Sequence, residues 1–135
     1  MLKEILDSIV SQFTEKGVQN VYSAFDAYPV EKKGGIFTII GIGAFETAPP
    51  IYSQFSIYLP FKTEFEINVT GTKNMSMQAI YTYYCDNIEP VLKSMTDMNC
   101  SLRKMTVRFD STIQRRVLTI RLSASGMDRT ERGCL

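Results

Sequence analysis

Every second residue from Ile51 to Val69 belongs to one set: Ile51, Ser53, Phe55, Ile57, Leu59, Phe61, Thr63, Phe65, Ile67 and Val69. The interleaved set is Tyr52, Gln54, Ser56, Tyr58, Pro60, Lys62, Glu64, Glu66 and Asn68. The first set is almost wholly apolar and the second polar or amphipathic. A period of two marks a strand buried on one face and wet on the other. A two-residue hairpin turn inside the stretch would flip the parity. The unbroken alternation therefore predicts one long strand, or two in line with a kink at Pro60.

The flanking chain changes period. Leu2, Ile5, Leu6, Ile9, Val10 and Phe13 recur at three and four residues, which predicts an amphipathic helix over 2–16. Gly17 stands where a left-handed cap would end it. Val18 to Ala27 reads as a short strand, and Tyr28 to Gly35 as an exposed loop containing a proline, a charged run and paired glycines. Ile36 to Phe45 is apolar on both parities, as a central strand would be. Gly41 and Gly43 within it predict a bulge or a close helix contact. Met77, Ile80, Tyr84, Ile88, Val91 and Met95 step by three or four, with Tyr81, Leu92 and Met98 widening the stripe. This predicts a helix of about six turns that Pro90 kinks near Asp86 or restarts. Met105, Val107 and Phe109, then Leu118, Ile120, Leu122 and Ala124, predict a terminal hairpin turning at Ser111–Arg115. From Gly126 the pattern is lost and a flexible tail is expected.

The order α-β-β-β-α-β-β predicts an α+β fold: a mainly antiparallel five-stranded sheet with two helices on one face, in two layers. One domain over 1–125 and a tail over 126–135 are expected from this pattern and from the 135-residue length. The other face of the sheet, with Tyr52, Tyr58, Lys62, Glu64, Glu66, Lys104, Arg108 and Arg121, is expected to meet water or a neighbour.

Composition narrows the chemistry. The chain has no histidine, which excludes histidine-assisted nucleophilic triads and histidine-ligated zinc. Three cysteines with no Cys-x-x-Cys pair do not make a metal site, and a reducing compartment is expected for them. The charged start Met1-Leu2-Lys3-Glu4 argues against export, and no apolar run is long enough for a membrane span. Glu64 and Glu66 lie about 7 Å apart on one strand face. Their neighbours Lys62 and Asn68 offer no desolvation to make either one a general acid. No catalytic activity, cofactor or metal is expected.

Charge is split along the chain. Residues 1–90 hold 6 Lys/Arg against 10 Asp/Glu, a balance of −4, and residues 91–135 hold 9 against 4, a balance of +5. Opposite-signed halves suit head-to-tail self-association. The interface candidates are an acidic patch with Glu64 and Glu66 and a basic hairpin with Arg108, Arg115, Arg116 and Arg121. Tyr52, Tyr58 and Tyr83 would supply apolar contact. Two other classes remain open: a nucleic-acid-binding module using the basic hairpin, and a small enzyme or ligand-binding α+β domain.

One family combines these features. The short amphipathic first helix, the Tyr28-Pro29 loop, the glycine-bearing strand Ile36–Phe45 and the long partner strand come in its order. The helix carrying Asn87-Ile88-Glu89-Pro90-Val91-Leu92 and the terminal hairpin complete it. In element order and size the chain resembles the tail terminators, the tail-completion minor tail proteins of tailed bacteriophages and prophages. The resemblance implies a non-enzymatic structural protein that forms a homo-oligomeric ring, typically a hexamer, in the virion tail. It implies a tail tube protein and a head-completion protein as partners, with assembly in the bacterial host cytoplasm. It carries no residue-level signature, so no site residue is transferred from it.

Overall fold

The structure is a computed structural model, and it describes residues 2–18, 20–23, 35–72, 74–95, 98–111 and 115–131. Helix α1 (Leu2–Glu15) buries Leu6, Ile9 and Phe13 along the expected stripe. Gly17 ends it at φ +86°. The Val18 N–H donates to the Phe13 carbonyl at 3.1 Å and the Gly17 N–H to Thr14 at 3.0 Å. These two bonds form a Schellman cap, which satisfies carbonyls that the helix would otherwise orphan.

Strand β1 (Val21–Ser23) then runs parallel to β2 (Phe37–Thr47), which pairs antiparallel with β4 (Ser56–Thr72). The two-residue β3 (Ile51–Tyr52) folds back on β4, and β4 pairs along its whole length with β6 (Arg115–Glu131). Strand β5 (Met98–Asp110) closes the sheet on the far side of β6. The order across the sheet is β1-β2-β4-β6-β5, so the six-stranded sheet is mixed, with β1 the parallel strand.

The two-residue alternation of β4 survives intact from Phe61 to Val69. Phe61, Thr63, Phe65, Ile67 and Val69 are buried, while Lys62 and Glu64 are exposed. Cross-strand partners share a face, so the register carries the pattern outward. Ile40 pairs Ile67, and Leu118, Ile120 and Leu122 pair Val69, Ile67 and Phe65. These residues form one core with α1 and with Ile80, Tyr84, Ile88 and Val91 of the second helical segment. Both helical segments therefore cover the same face, giving the expected α+β arrangement.

The second segment is one run of three geometries. Helix α2 (Met77–Tyr83) starts at Ser76, whose Oγ accepts the Ala79 N–H at 3.1 Å. A π-helical turn follows (Tyr84–Ile88), and α3 (Glu89–Lys93) completes it. Pro90 has no N–H to offer Asp86, four residues back, and its ring would crowd that carbonyl. The turn widens there, and the Glu89 N–H reaches Tyr84 five residues back. The expected kink near Asp86 is this π turn.

Bulges steer two strands. At Gly43 in β2 the register shifts between Ile42 and Ala44, as its glycines predict. A second shift between Leu102 and Lys104 in β5 moves Met105, Val107 and Phe109 onto the helix side.

Four expectations need correction. Ile51 to Val69 is not one strand. The chain turns at Ser53–Ser56, where the Ser53 N–H donates to the Ser56 carbonyl at 2.8 Å. An even-numbered turn flips parity, so Phe55, expected in the core, is 68% exposed. Met98 leaves the helix stripe and opens β5, because α3 already ends at Lys93. Residues 126–131, expected as tail, are strand. Gly126, Met127, Asp128, Arg129, Thr130 and Glu131 pair with Phe61 back to Ser56. Backbone pairing with the extended start of β4 holds them, which needs no hydrophobic alternation. Residues 24–34 and 132–135, which include most of the expected loop and the tail end, lie outside the described residues.

Two substitutions test this packing in urea or guanidinium unfolding. Phe65→Ala should cost about 3–5 kcal/mol and Glu66→Ala only a few tenths, so equal midpoints would disprove the register. Gly71→Ala would bring a methyl to 2.7 Å from Met75 Sδ and 3.0 Å from Ile80 Cδ1. It should cost about 1–3 kcal/mol through overpacking.

Candidate functional site

With both helical segments on one side, the opposite face of the sheet divides in two: Phe37, Thr70, Arg115, Val117 and Thr119 at one end are buried, and the other end is open. The open part has no second layer among the described residues. It is built from the alternate positions: Ala44 and Glu46 of β2, Lys62, Glu64 and Glu66 of β4, Arg121, Ser123 and Ser125 of β6, and Ser101, Lys104 and Arg108 of β5. Charges of both signs are interspersed on this face. Glu66 meets its cross-strand partner Arg121 at 3.6 Å, with both side chains substantially exposed. Arg108 bonds Asp110 at 2.9 Å, and Arg103 Nε donates to Ser123 Oγ at 2.9 Å. The Thr119 hydroxyl donates to Asn68 Oδ1 at 2.7 Å.

Two shallow depressions mark the face. One of about 350 Å³ lies between Glu46, Lys62, Glu64, Ser101, Arg103 and Ser123. The other, of about 470 Å³, lies between Glu64, Glu66, Lys104 and Arg121. Both are open to solvent and rimmed by charged side chains, the second with Phe65 and Leu122 also in its lining, whereas small-molecule sites are mostly enclosed. The arrangement suits a broad protein contact better than the capture of a small ligand.

The sequence-derived candidates divide by location. Tyr58, Glu64, Glu66, Arg108 and Arg121 do share the uncovered face. Tyr52 does not, because it pairs with Ile57 across the turn and so takes the helix-side face. Tyr83 is half-buried and packs against the core, where desolvation raises its phenol pKa above the usual value. Tyr81, expected on the stripe, is the exposed ring instead. Its centroid lies 6.2 Å from that of Tyr84, in a groove between the helix and β5 that Leu92, Leu102 and Met105 also line.

Arg115 and Arg116, read as one basic patch, lie on opposite faces because they are adjacent in a strand. Arg116 is half-buried on the helix side, and its Nε is buried without a hydrogen-bond partner. Arg115 is only 2% exposed and is a structural residue. Its guanidinium donates from Nε to Thr70 Oγ1 at 3.0 Å, and from Nη2 to the carbonyls of Thr70 and Gly35. Its Cζ sits 5.4 Å from the centre of the Phe37 ring, which stacks on Tyr22. Desolvation lowers its pKa from the usual value. The planar fork meets three acceptors that a lysine could not serve together.

Sequence reasoning missed the exposed apolar row of β5. Leu102, Val107 and Phe109 are exposed although they lie on the helix side. Periodicity assigns a face, but only the position of β5 at the sheet edge leaves that face uncovered. The paired Arg103-Lys104, interrupting the alternation between Leu102 and Met105, was a readable signal of the bulge.

No protein-family model matches the chain, and no curated protein matches its sequence. Among solved structures, it is similar to a chain in the virion of a native gene transfer agent particle. That alignment covers 92% of this chain and 95% of the other, with 13% identity and a TM-score of 0.51. It is also matched to the type 4 fimbrial biogenesis protein PilO from Pseudomonas aeruginosa, at 13% identity over 93% and 68% of the two chains. The TM-score of 0.35 is too low for that match to bear on the fold.

Arg115→Ala should remove the buried bonds to Thr70 and cost about 1–3 kcal/mol, while the exposed Gly35 carbonyl can turn to water. Arg121→Ala, which breaks an exposed pair, should cost no more than about 1 kcal/mol. Denaturant midpoints check both, and a stable Arg115→Ala protein would show that the guanidinium is dispensable.

Proposed function

We propose that the chain is a non-enzymatic structural protein of a phage, prophage or phage-like particle. In this reading it caps the tail tube as an oligomeric ring and forms the surface to which the head attaches. The observation that carries the reading is the end-to-end fold likeness to a chain of a gene transfer agent virion, covering nearly all of both chains. The likeness concerns the fold, and the site supports the assignment independently. A broad face of mixed charge with shallow, open depressions is suited to another protein surface.

The nucleic-acid alternative loses its footing in the geometry. A phosphate-binding patch needs several cations presented together. Here Arg115 is buried, Arg116 faces the helices, and Arg108 and Arg121 are engaged by Asp110 and Glu66. The cations that remain on the open face, Arg103, Lys104, Arg108 and Arg121, are interspersed with Glu64, Glu66 and Asp110, so the hairpin does not present an all-basic surface.

The test uses the tube-forming protein that this reading expects to be encoded beside this chain. Added to polymerising tubes, the purified protein should halt elongation and appear by electron microscopy as a ring on one end. Tubes that grow unchanged in its molar excess, or a gene neighbourhood without a tube protein, would refute the assignment.

A further inference from the structure

The two long edges of the sheet are unlike each other, and they complement each other. Strand β5 presents thirteen residues, paired on one side to β6, and no described strand pairs with its other side. Nine of its thirteen residues are exposed, and Val107 is 57% exposed. An exposed edge of this length is a template for another strand, and proteins ordinarily blunt such edges. On its helix side β5 shows Leu102, Val107 and Phe109, and on its other face the cations Lys104 and Arg108.

The opposite edge is β2. Strand β1 covers only Thr38 to Ile40, and no described strand pairs with the outer side of Gly41 to Thr47. After the bulge this stretch carries Phe45 on the helix side and Glu46 on the uncovered face. Each edge is therefore apolar on the helix side and charged on the other, with opposite sign.

From this we infer that β5 of one copy pairs with Gly41–Thr47 of the next, extending the sheet in its own plane. The inference rests on the ring reading and deepens it by naming the two edges. Strand directions favour it. Within the sheet β2 and β5 run in opposite directions, so a head-to-tail repeat sets them antiparallel, helix side matched to helix side. The contact joins two different patches, which is what a ring requires. Pairing β5 with a second β5 would instead bring the Lys104 and Arg108 rows together, and like charges across strands repel.

Charge reversal and edge blocking test the contact with the full chain, both alone at high concentration and on tubes. Lys104→Glu and Glu46→Lys should each weaken association by about two- to fivefold. The two together in one chain should restore it, because the Glu46–Lys104 contact is then swapped. A β5–β5 contact would be insensitive to Glu46→Lys, and that result would overturn the inference. Thr106→Pro and Val107→Pro add a backbone test. Alternate N–H groups of an antiparallel strand point to the neighbour and outward, so one of the two spares the β6 ladder. The variant that keeps its melting temperature should lose self-association. Rings that survive that variant and both reversals overturn the inference and leave the tail assignment standing. A wild-type chain that associates through these edges but leaves tubes uncapped supports the inference and removes the tail assignment. A chain that stays monomeric in both settings removes both.

Discussion

The constraint on which this structure depends is the one-sided burial of β4. Its odd-numbered residues from Phe61 to Val69 enter the core, and its partners on both sides inherit that facing through cross-strand pairing. A single-residue slip would expose Phe65 and Ile67 and bury Glu64 and Glu66. Burying one large apolar side chain is worth roughly 1.5–3 kcal/mol, so the slipped register has no route to stability. The helices contribute by covering that face, and α1 and the second segment meet in one hydrophobic cluster.

The helices cover one face, and the other is buried only at the end that holds Phe37, Thr70, Arg115, Val117 and Thr119. The rest of that face must be polar enough to meet water, and it achieves this with paired and interspersed charges. Arg115 shows how narrow the allowance is. At the end of β6 its chain neighbour points to the helices while Arg115 itself is enclosed by Phe37, Thr70 and Gly35. The desolvated cation is tolerated because its donors meet acceptors and its flat face meets a ring. The same geometry that makes it a staple removes it from any interface.

The helical cover is also shorter than the sheet is wide. Pro90 interrupts the backbone bonding, the π turn absorbs the break, and α3 stops at Lys93. The cover does not reach the far row of β5, which leaves Val107 and Phe109 exposed on a face that should be buried. An uncovered apolar row beside an edge that no described strand pairs with is a feature that a neighbouring copy would complete. This links the fold to the assembly proposed for it.

Several features were legible in the sequence by itself because their physics is local. The stripe of α1 and its Gly17 cap, the glycine bulge in β2, the break near Asp86 and the alternation of β4 all follow from spacing, backbone freedom and a missing N–H. The α+β class follows from their order. Tertiary structure alone decided the features that depend on what lies across a gap. Periodicity assigns Phe55 and Val107 to a parity, but a turn moves the first into solvent and an edge position uncovers the second. Composition counts Arg115 and Arg116 as one basic patch, yet strand geometry sends them to opposite faces. Residues 126–131 lack apolar alternation and still form strand, because backbone hydrogen bonds to β4 require no particular side chains. A side chain's face can be read from its own neighbours in the chain. Whether that face is covered depends on residues far away in sequence, and only the folded arrangement of the sheet decides it.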